Sequence, residues 1–199
     1  MIYEFNGFKP VIHPSSFIHP QANVTGNVII GKDVYVGPGA VIRGDWGEII
    51  INDGCNIQEN CVLHMFPGTT MTLAENVHVG HGAIIHGANI QSDCLIGMQS
   101  VIMDNCTIEK ESIIGALTFI KANKRIPKRS LVIGNPARII SEVSDNMLKW
   151  KTKGTQLYQT LPKSCQESLK ECEPLRSIPK DRPNQAILFK TWEEIKHRK

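Results

Sequence analysis

An aliphatic residue recurs every six positions through the first two thirds of this 199-residue chain. The spacing gains three residues after Ile42 and four after Leu63, and it is one residue short after Ile85. The position after the aliphatic residue is often glycine. The repeat positions are Ile18, Val24, Ile30, Val36, Ile42, Ile51, Ile57, Leu63, Leu73, Val79, Ile85, Ile90, Ile96, Ile102, Ile108, Ile114 and Ile120.

A six-residue repeat of this kind predicts a parallel β-helix. Each hexad supplies one short strand and one corner, three hexads close a triangular coil, and the repeated aliphatic side chain fills the interior. Successive coils then stack about 4.8 Å apart, which is the ordinary spacing of paired strands. We therefore expect residues 1–140 to form a β-helix domain that carries any functional site.

The composition changes at residue 141. Fifteen of the sixteen glycines precede that position, and the following segment, SEVSDNMLKWKTKGTQLYQTL, is rich in helix-forming residues. Its apolar positions Val143, Met147 and Trp150 have helical spacing and predict a face packed on the β-helix. Residues 141–199 are thus expected to form a C-terminal helical segment followed by an irregular, proline-containing tail.

Counting in hexads places two histidines together. One full coil separates Leu63 from Ile85, so the residues that follow them, His64 and His86, occupy equivalent corners of adjacent coils. Arg43 lies on the same ridge, one coil below His64. Two outward imidazoles about one strand spacing apart suit two ligands of one metal ion.

His81 lies two residues after Val79, near a different corner of the triangle. It can join His64 and His86 only if a second copy of the chain docks alongside. Three imidazoles and one open position are the arrangement of catalytic zinc sites, and a triangular prism favours a homotrimer. His78 is expected to be a hydrogen-bonded or solvent-facing imidazole, and no ligand role is expected for His13, His19 or His197.

Charge, the N-terminal segment and the cysteines bear on partners and location. A net charge of +3 gives no reason to expect nucleic acid or a membrane surface as partner. The N-terminal segment has no signal-peptide pattern, and a cytoplasmic location is the expectation. In a reducing compartment, Cys55, Cys61, Cys94 and Cys106 are expected to be small buried side chains without disulfides, and the state of Cys165 and Cys172 is left open.

Three segments, VIRGD at 41–45, NIQENCVLH at 56–64 and GHGAIIHG at 80–87, resemble the γ-class carbonic anhydrases. Within that class the chain is most similar to the branch encoded with phenylacetate-degradation or carnitine operons, which the GTQLYQ and PLR segments also resemble. The resemblance implies a left-handed β-helical homotrimer with Zn²⁺, or Fe²⁺ or Co²⁺, at the subunit interfaces.

Carried over by position, the resemblance implies that His64, His81 and His86 are the metal ligands. Two of these histidines would come from one chain and the third from its neighbour. The resemblance further implies that Arg43 and Asp45 form a pair that bridges subunits and orders the site. It places Asn56 and Gln58 beside the metal-bound water, where the Gln58 amide would hold the nucleophilic water or bicarbonate.

Two departures from the family pattern bear on the reaction. Trp46 stands where the best-studied type has an acidic residue, and the loop MFPGTTMT after His64 has no carboxylate for proton transfer. The leading expectation is a zinc-dependent lyase that converts CO₂ to bicarbonate. The alternative is a metal-dependent acyl-CoA thioesterase, in which Trp46, Met65 and Phe66 would contact an acyl group. A hexapeptide acyltransferase and a non-catalytic trimeric scaffold remain further alternatives.

Overall fold

The computed structural model describes residues 1–185 and 189–196, so His197 lies outside the described residues. The strands are β1 (Ile2–Tyr3), β2 (Val11–Ile12), β3 (Phe17–Ile18), β4 (Asn23–Ile30), β5 (Tyr35–Val36), β6 (Val41–Ile51), β7 (Asn56–Ile57), β8 (Val62–His64), β9 (Thr70–Leu73), β10 (His78–Val79), β11 (Ile84–His86), β12 (Asn89–Ile90), β13 (Leu95–Ile96), β14 (Val101–Ile102), β15 (Thr107–Ile108), β16 (Ile113–Ile114), β17 (Phe119–Ile120), β18 (Arg125–Ile126), β19 (Ser130–Ile133) and β20 (Arg138–Glu142). Two helices follow, α1 (Asp145–Ser168) and α2 (Trp192–Ile195).

The strands stack in parallel into three faces, and each strand pairs with the equivalent strand of the next coil. One face runs β6-β8-β11-β14-β17, the second runs β6-β9-β12-β15-β18, and the third runs β3-β5-β7-β10-β13-β16-β19-β20. The first two faces are joined because the long strand β6 pairs with β8 through its first residues and with β9 through its last. The final pair, β19 with β20, is antiparallel. This architecture confirms the predicted fold class, a parallel β-helix of hexapeptide repeats followed by a C-terminal α-helix.

The repeated aliphatic residues form one continuous core. Every predicted position is buried except Ile18, which lies on the first coils and packs partly against the core. Small side chains two residues earlier fill the corners, and Cys55, Cys61, Cys94 and Cys106 are among them. All six cysteines are free, as predicted for those four, with Cys165 half-buried and Cys172 exposed.

The helix α1 runs along the third face, from the later coils toward the earlier ones. Its first turn is capped by the Ser144 hydroxyl, which accepts a hydrogen bond from the Met147 amide at 3.3 Å. The Gln159 side chain donates to the Gly54 carbonyl at 3.0 Å, and Gln166 donates to the Pro14 carbonyl at 3.0 Å. The helix therefore spans several coils and covers the third face.

The predicted apolar face of this helix is not the one that packs on the β-helix. Val143 is buried, but it precedes the helix, and Trp150 contacts Phe189 and Trp192 of the C-terminal segment instead. The buried helix positions are Lys151, Thr155 and Pro162. Polar side chains can pack the helix against the β-helix because the corners of the coils present backbone carbonyls that need hydrogen-bond donors. Lys151 Nζ, for example, donates to the Asn76 carbonyl at 2.9 Å.

The predicted domain boundary at residue 140 falls inside β20, two residues before that strand ends. Within the described part of the chain, neither helix has the length and apolar character needed to cross a lipid bilayer.

Candidate metal and active site

His64 and His86 lie side by side on adjacent coils. In the pairing of β8 with β11, Leu63 is opposite Ile85 and His64 is opposite His86, which is the register that the hexad count predicts. The ring centroids are 5.2 Å apart, and His64 Nδ1 lies 3.2 Å from His86 Nε2. Two nitrogens bound to one tetrahedral Zn²⁺ at about 2.0–2.1 Å would be about 3.3 Å apart. The spacing of the pair therefore matches a shared metal ion.

A carboxylate holds the other nitrogen of each ring. Asp45 Oδ1 lies 3.0 Å from His64 Nε2, and Asp104 Oδ1 lies 2.6 Å from His86 Nδ1. Arg43 Nη1 donates to Asp45 Oδ2 at 2.9 Å and so fixes that carboxylate. An ionised carboxylate only accepts hydrogen bonds, so each ring carries its proton on the carboxylate side.

When both rings are neutral, each of the two facing nitrogens, His64 Nδ1 and His86 Nε2, therefore presents a lone pair. Burial lowers the pKa of His64, and this effect is opposed by its hydrogen bond to Asp45. The neutral ring is thereby favoured at the pH of the cell. Two lone pairs 3.2 Å apart have no proton between them, which is an arrangement that a cation between the rings would stabilise. The donor set of His64 and His86 fits a divalent metal.

His81 lies at another corner and is exposed. Its Nδ1 contacts Glu59 Oε2, and Glu59 Oε1 accepts a hydrogen bond from the Tyr35 hydroxyl at 3.2 Å. Burial, followed by the charge of Glu59, raises the pKa of Tyr35, so this hydroxyl remains a donor. Within residues 1–185 and 189–196 of one chain, no group of three His, Cys, Asp or Glu side chains could hold a metal ion. Within a single chain, His81 therefore does not form one group of metal ligands with His64 and His86.

Asn56 and Gln58 form a buried network with His78. Gln58 Nε2 lies 3.0 Å from Asn56 Oδ1 and 2.7 Å from His78 Nε2, and Asn56 Nδ2 lies 3.3 Å from His78 Nδ1. Gln58 Oε1 accepts the backbone N–H of His81 at 3.2 Å. The Tyr158 ring of α1 closes over His78, with centroids 5.1 Å apart at 87°. His78 is therefore a hydrogen-bonded imidazole, as predicted, and the network supports the backbone of His81.

This network leaves the Gln58 amide engaged within its own chain, so its assigned contact with a substrate water stays a prediction. Burial, with a smaller effect of the Lys151 charge, lowers the pKa of His78 to about 3, and the ring is neutral near pH 7. His13 and His19 support turns instead: each Nδ1 accepts a backbone N–H two residues on, from Ser15 and Gln21.

The comparisons with known proteins place this architecture in a family. Carnitine operon protein CaiE of Escherichia coli strain K12 is 48% identical over 181 residues, which cover 91% of this chain and 92% of that protein. The chain belongs to the CaiE family. Residues 9–44 and 87–122 also match the bacterial transferase hexapeptide (six repeats) family, whose repeat accords with the coils described above.

Two solved structures resemble this member of the CaiE family closely. A candidate acetyltransferase from Bacillus cereus is 35% identical, with a TM-score of 0.81 over 83% of this chain and 96% of that one. A hexapeptide transferase family protein from Anaplasma phagocytophilum is 27% identical, with a TM-score of 0.79 over 82% of this chain and 96% of that one. Neither the family match nor these neighbours identifies a carbonic anhydrase.

In this CaiE-family chain, sequence reasoning missed two carboxylates, Asp104 and Glu59. Hexad counting could have found both. Glu59 and His81 each lie two residues after core positions that pair on adjacent coils, Ile57 and Val79. Asp104 lies two residues after Ile102, which pairs with Ile85 one coil below. Each of the three predicted metal ligands thus has a carboxylate on one ring nitrogen.

Two exposed aromatic rings flank the stacked pair. The Trp46 ring lies 5.1 Å from that of His64, and the Phe66 ring lies 5.2 Å from that of His86 in an edge-on contact. About half of each aromatic side chain is exposed, 52% and 54%. The Arg43 guanidinium lies 5.8 Å from the Trp46 ring centroid. The surroundings of the pair are therefore apolar on two sides.

Proposed function

We propose that this protein is a metal-dependent lyase of the γ-carbonic anhydrase type that hydrates CO₂ to bicarbonate and one proton. Its site would lie at the interfaces of a homotrimer, with Zn²⁺ held by His64 and His86 of one chain and His81 of the next. Fe²⁺ and Co²⁺ suit the same imidazole ligands. The observation that carries the proposal is the stacked pair, whose facing nitrogens lie 3.2 Å apart, the spacing of two ligands of one metal ion.

The third ligand is assigned to a neighbour because the pair alone cannot complete a catalytic site. Catalytic zinc sites use three protein ligands and keep one position open. His81 is exposed, its Nδ1 contacts Glu59 Oε2, and its Nε2 makes no hydrogen bond to the described residues. A closed trimer would repeat one such interface three times.

When bound, the metal would supply a water with a pKa of about 7, and hence a nucleophile at neutral pH. The residues of this chain have supporting roles. Asp45, Asp104 and Glu59 orient the three rings by accepting their N–H groups, and Arg43 restrains Asp45. In this proposal Gln58 holds the substrate water or bicarbonate, after exchanging one of its in-chain hydrogen bonds.

A second candidate is hydrolysis of acyl-CoA thioesters at the same site. Trp46 and Phe66 favour it, because they place two exposed aromatic rings beside the imidazoles where an acyl group could pack. Met65, the third residue expected to contact the acyl group, is instead fully buried in the core of the β-helix. The segment from Met65 to Thr72, which is a loop up to Thr69 and then enters β9, contains no carboxylate, although rapid CO₂ hydration must return a proton to solvent at each turnover. Relatives named for a carnitine operon are compatible with this candidate.

The test is turnover of the metal-replete protein on CO₂ and on a panel of acyl-CoA thioesters, with metal content measured in the same samples. We expect His64→Ala to lose both the metal and the turnover. His19→Gln, a turn histidine outside the pair, is the matched control and should retain both. Full metal occupancy in the His64 variant would refute the site. Thioester cleavage with negligible CO₂ hydration would select the second candidate.

A further inference from the structure

A cavity lies between the first turns of α1 and the C-terminal segment. Its volume is about 510 Å³, which is within the range of small-molecule sites, and it contains none of the residues of the metal site. Three aromatic residues, Trp150, Phe189 and Trp192, contribute to its wall. The proposed metal chemistry makes no use of this cavity.

The aromatic rings are held together as a platform. The rings of Trp150 and Phe189 are stacked, with centroids 5.9 Å apart at 30°, and Trp192 lies 6.2 Å from Trp150 at 55°. Trp150 Nε1 donates to the Lys190 carbonyl at 2.9 Å and so ties the C-terminal segment to the helix. Phe189 remains 39% exposed. A partly exposed aromatic ring in a cavity can stack on a planar aromatic ligand.

Four lysines surround this platform: Lys149, Lys153, Lys190 and Lys196. None of the residues that line the cavity in the described part of the chain is acidic, and the ion pair of Lys196 with Glu193 offsets one of the four charges. Lys149 and Lys153 are one helical turn apart, a spacing at which like charges repel. Folding gains nothing from this repulsion, whereas an anion in the cavity would remove it.

We propose that this cavity binds a nucleotide that carries two or more phosphates. The base would stack on the aromatic platform, and two or more phosphates would contact the lysine amines. Rings alone would suit many apolar ligands and lysines alone would suit any anion, whereas a planar base joined to phosphates would use both features. The site is independent of the proposed metal centre.

The first experiment titrates the full-length protein at low salt with 3′-phosphoadenosine 5′-phosphate and follows binding by calorimetry. Adenosine, which lacks phosphates, and inorganic pyrophosphate, which lacks the base, should each bind at least about tenfold more weakly. Saturable binding of the bisphosphate that weakens with salt is expected, because the lysines are exposed. Equal binding of pyrophosphate and the bisphosphate would overturn the proposal, as would no saturation at millimolar concentration.

Variants then locate the site. Lys149→Ala and Lys153→Ala should each weaken binding by about three- to tenfold, because each removes one charged contact. Lys163→Ala, an exposed lysine of the same helix outside the cavity, should bind like the parent protein. An equal loss in the Lys163 variant would refute a localised site. All three variants should retain the parent's metal content, so this result is separable from a failure of the metal site.

The source of the nucleotide is resolved by comparing ADP with coenzyme A. Binding of coenzyme A at least as tight as that of ADP would identify a nucleotide carried by a thiol cofactor. Tighter binding of ADP would identify a free nucleotide. Either result supports the proposal, whereas the absence of binding for both would refute it.

Discussion

A site shared between chains can be tested by complementation. In the proposed trimer each interface needs an intact His64–His86 pair from one chain and an intact His81 from the next. His81→Ala chains keep the pair, and His64→Ala chains keep His81. Neither variant alone can form a complete site, but a mixed trimer regains one wherever the two chains meet in the correct order.

The expected recovery follows from counting interfaces. In a random 1:1 mixture, the chain that supplies the pair is the His81 variant in about one half of interfaces. The neighbour is the His64 variant in about one half of those. About one quarter of the interfaces are therefore complete, which corresponds to about 0.25 metal ions per chain against about one in the parent protein.

The assay is metal content and turnover of trimers refolded from mixed chains, with mixing verified by native mass spectrometry. A matched control mixes His86→Ala with His64→Ala chains. Both of these damage the same half of the site, so no interface in the control is complete and recovery should be absent. If verified mixed trimers of the first pair bind no metal, or if the control recovers equally, the shared-site reasoning is wrong.

Two further predictions concern buried groups. Burial raises the pKa of the Cys55 and Cys94 thiols to about 12. At pH 8 a thiol reagent should therefore label the exposed Cys172 rapidly, and should label Cys55 and Cys94 only after unfolding. Rapid labelling of Cys55 in the native protein would contradict this prediction. Burial lowers the pKa of His78 from 6.5 to about 3, so between those values the unfolded chain binds a proton that the native chain does not. The free energy of unfolding therefore carries no His78 penalty above pH 6.5, and it decreases as the pH falls below that value, by up to about 1.4 kcal/mol per pH unit. The variant His78→Gln should show a weaker pH dependence of the free energy of unfolding in denaturant titrations. An unchanged pH dependence would show that His78 stays solvated.

The sequence was sufficient to predict the coils because the repeat is one-dimensional. Once Leu63 and Ile85 are recognised as the same position on adjacent coils, the contact between His64 and His86 follows without further information. The same counting placed His81 at a different corner. Side chains that lie at fixed offsets from a buried residue are predictable for this reason.

The packing of α1 and of the C-terminal tail could not be predicted from the sequence, because it depends on contacts outside the repeat. The helix α1 packs through Lys151 and Gln159, which donate to the coil corners, so its apolar spacing was a poor guide to the buried face. The tail residue Phe189 instead contacts Trp150, an association between distant segments that no period encodes. Hexad counting is likewise unable to place His81 of one chain relative to His64 and His86 of another, because it describes positions within a single chain.

Metal removal separates a catalytic ion from a structural one. The core consists of stacked aliphatic side chains, and none of the predicted ligands belongs to it. If the ion is catalytic, chelation should therefore abolish turnover while leaving the circular dichroism spectrum unchanged, because the free energy of folding of each chain comes from apolar burial. A purely catalytic ion also predicts that the trimer persists without it. Zinc domains that depend on their metal unfold when it is removed. Dissociation or unfolding on chelation would mean that the ion fixes the assembly, and the scaffold alternative would then replace the catalytic one.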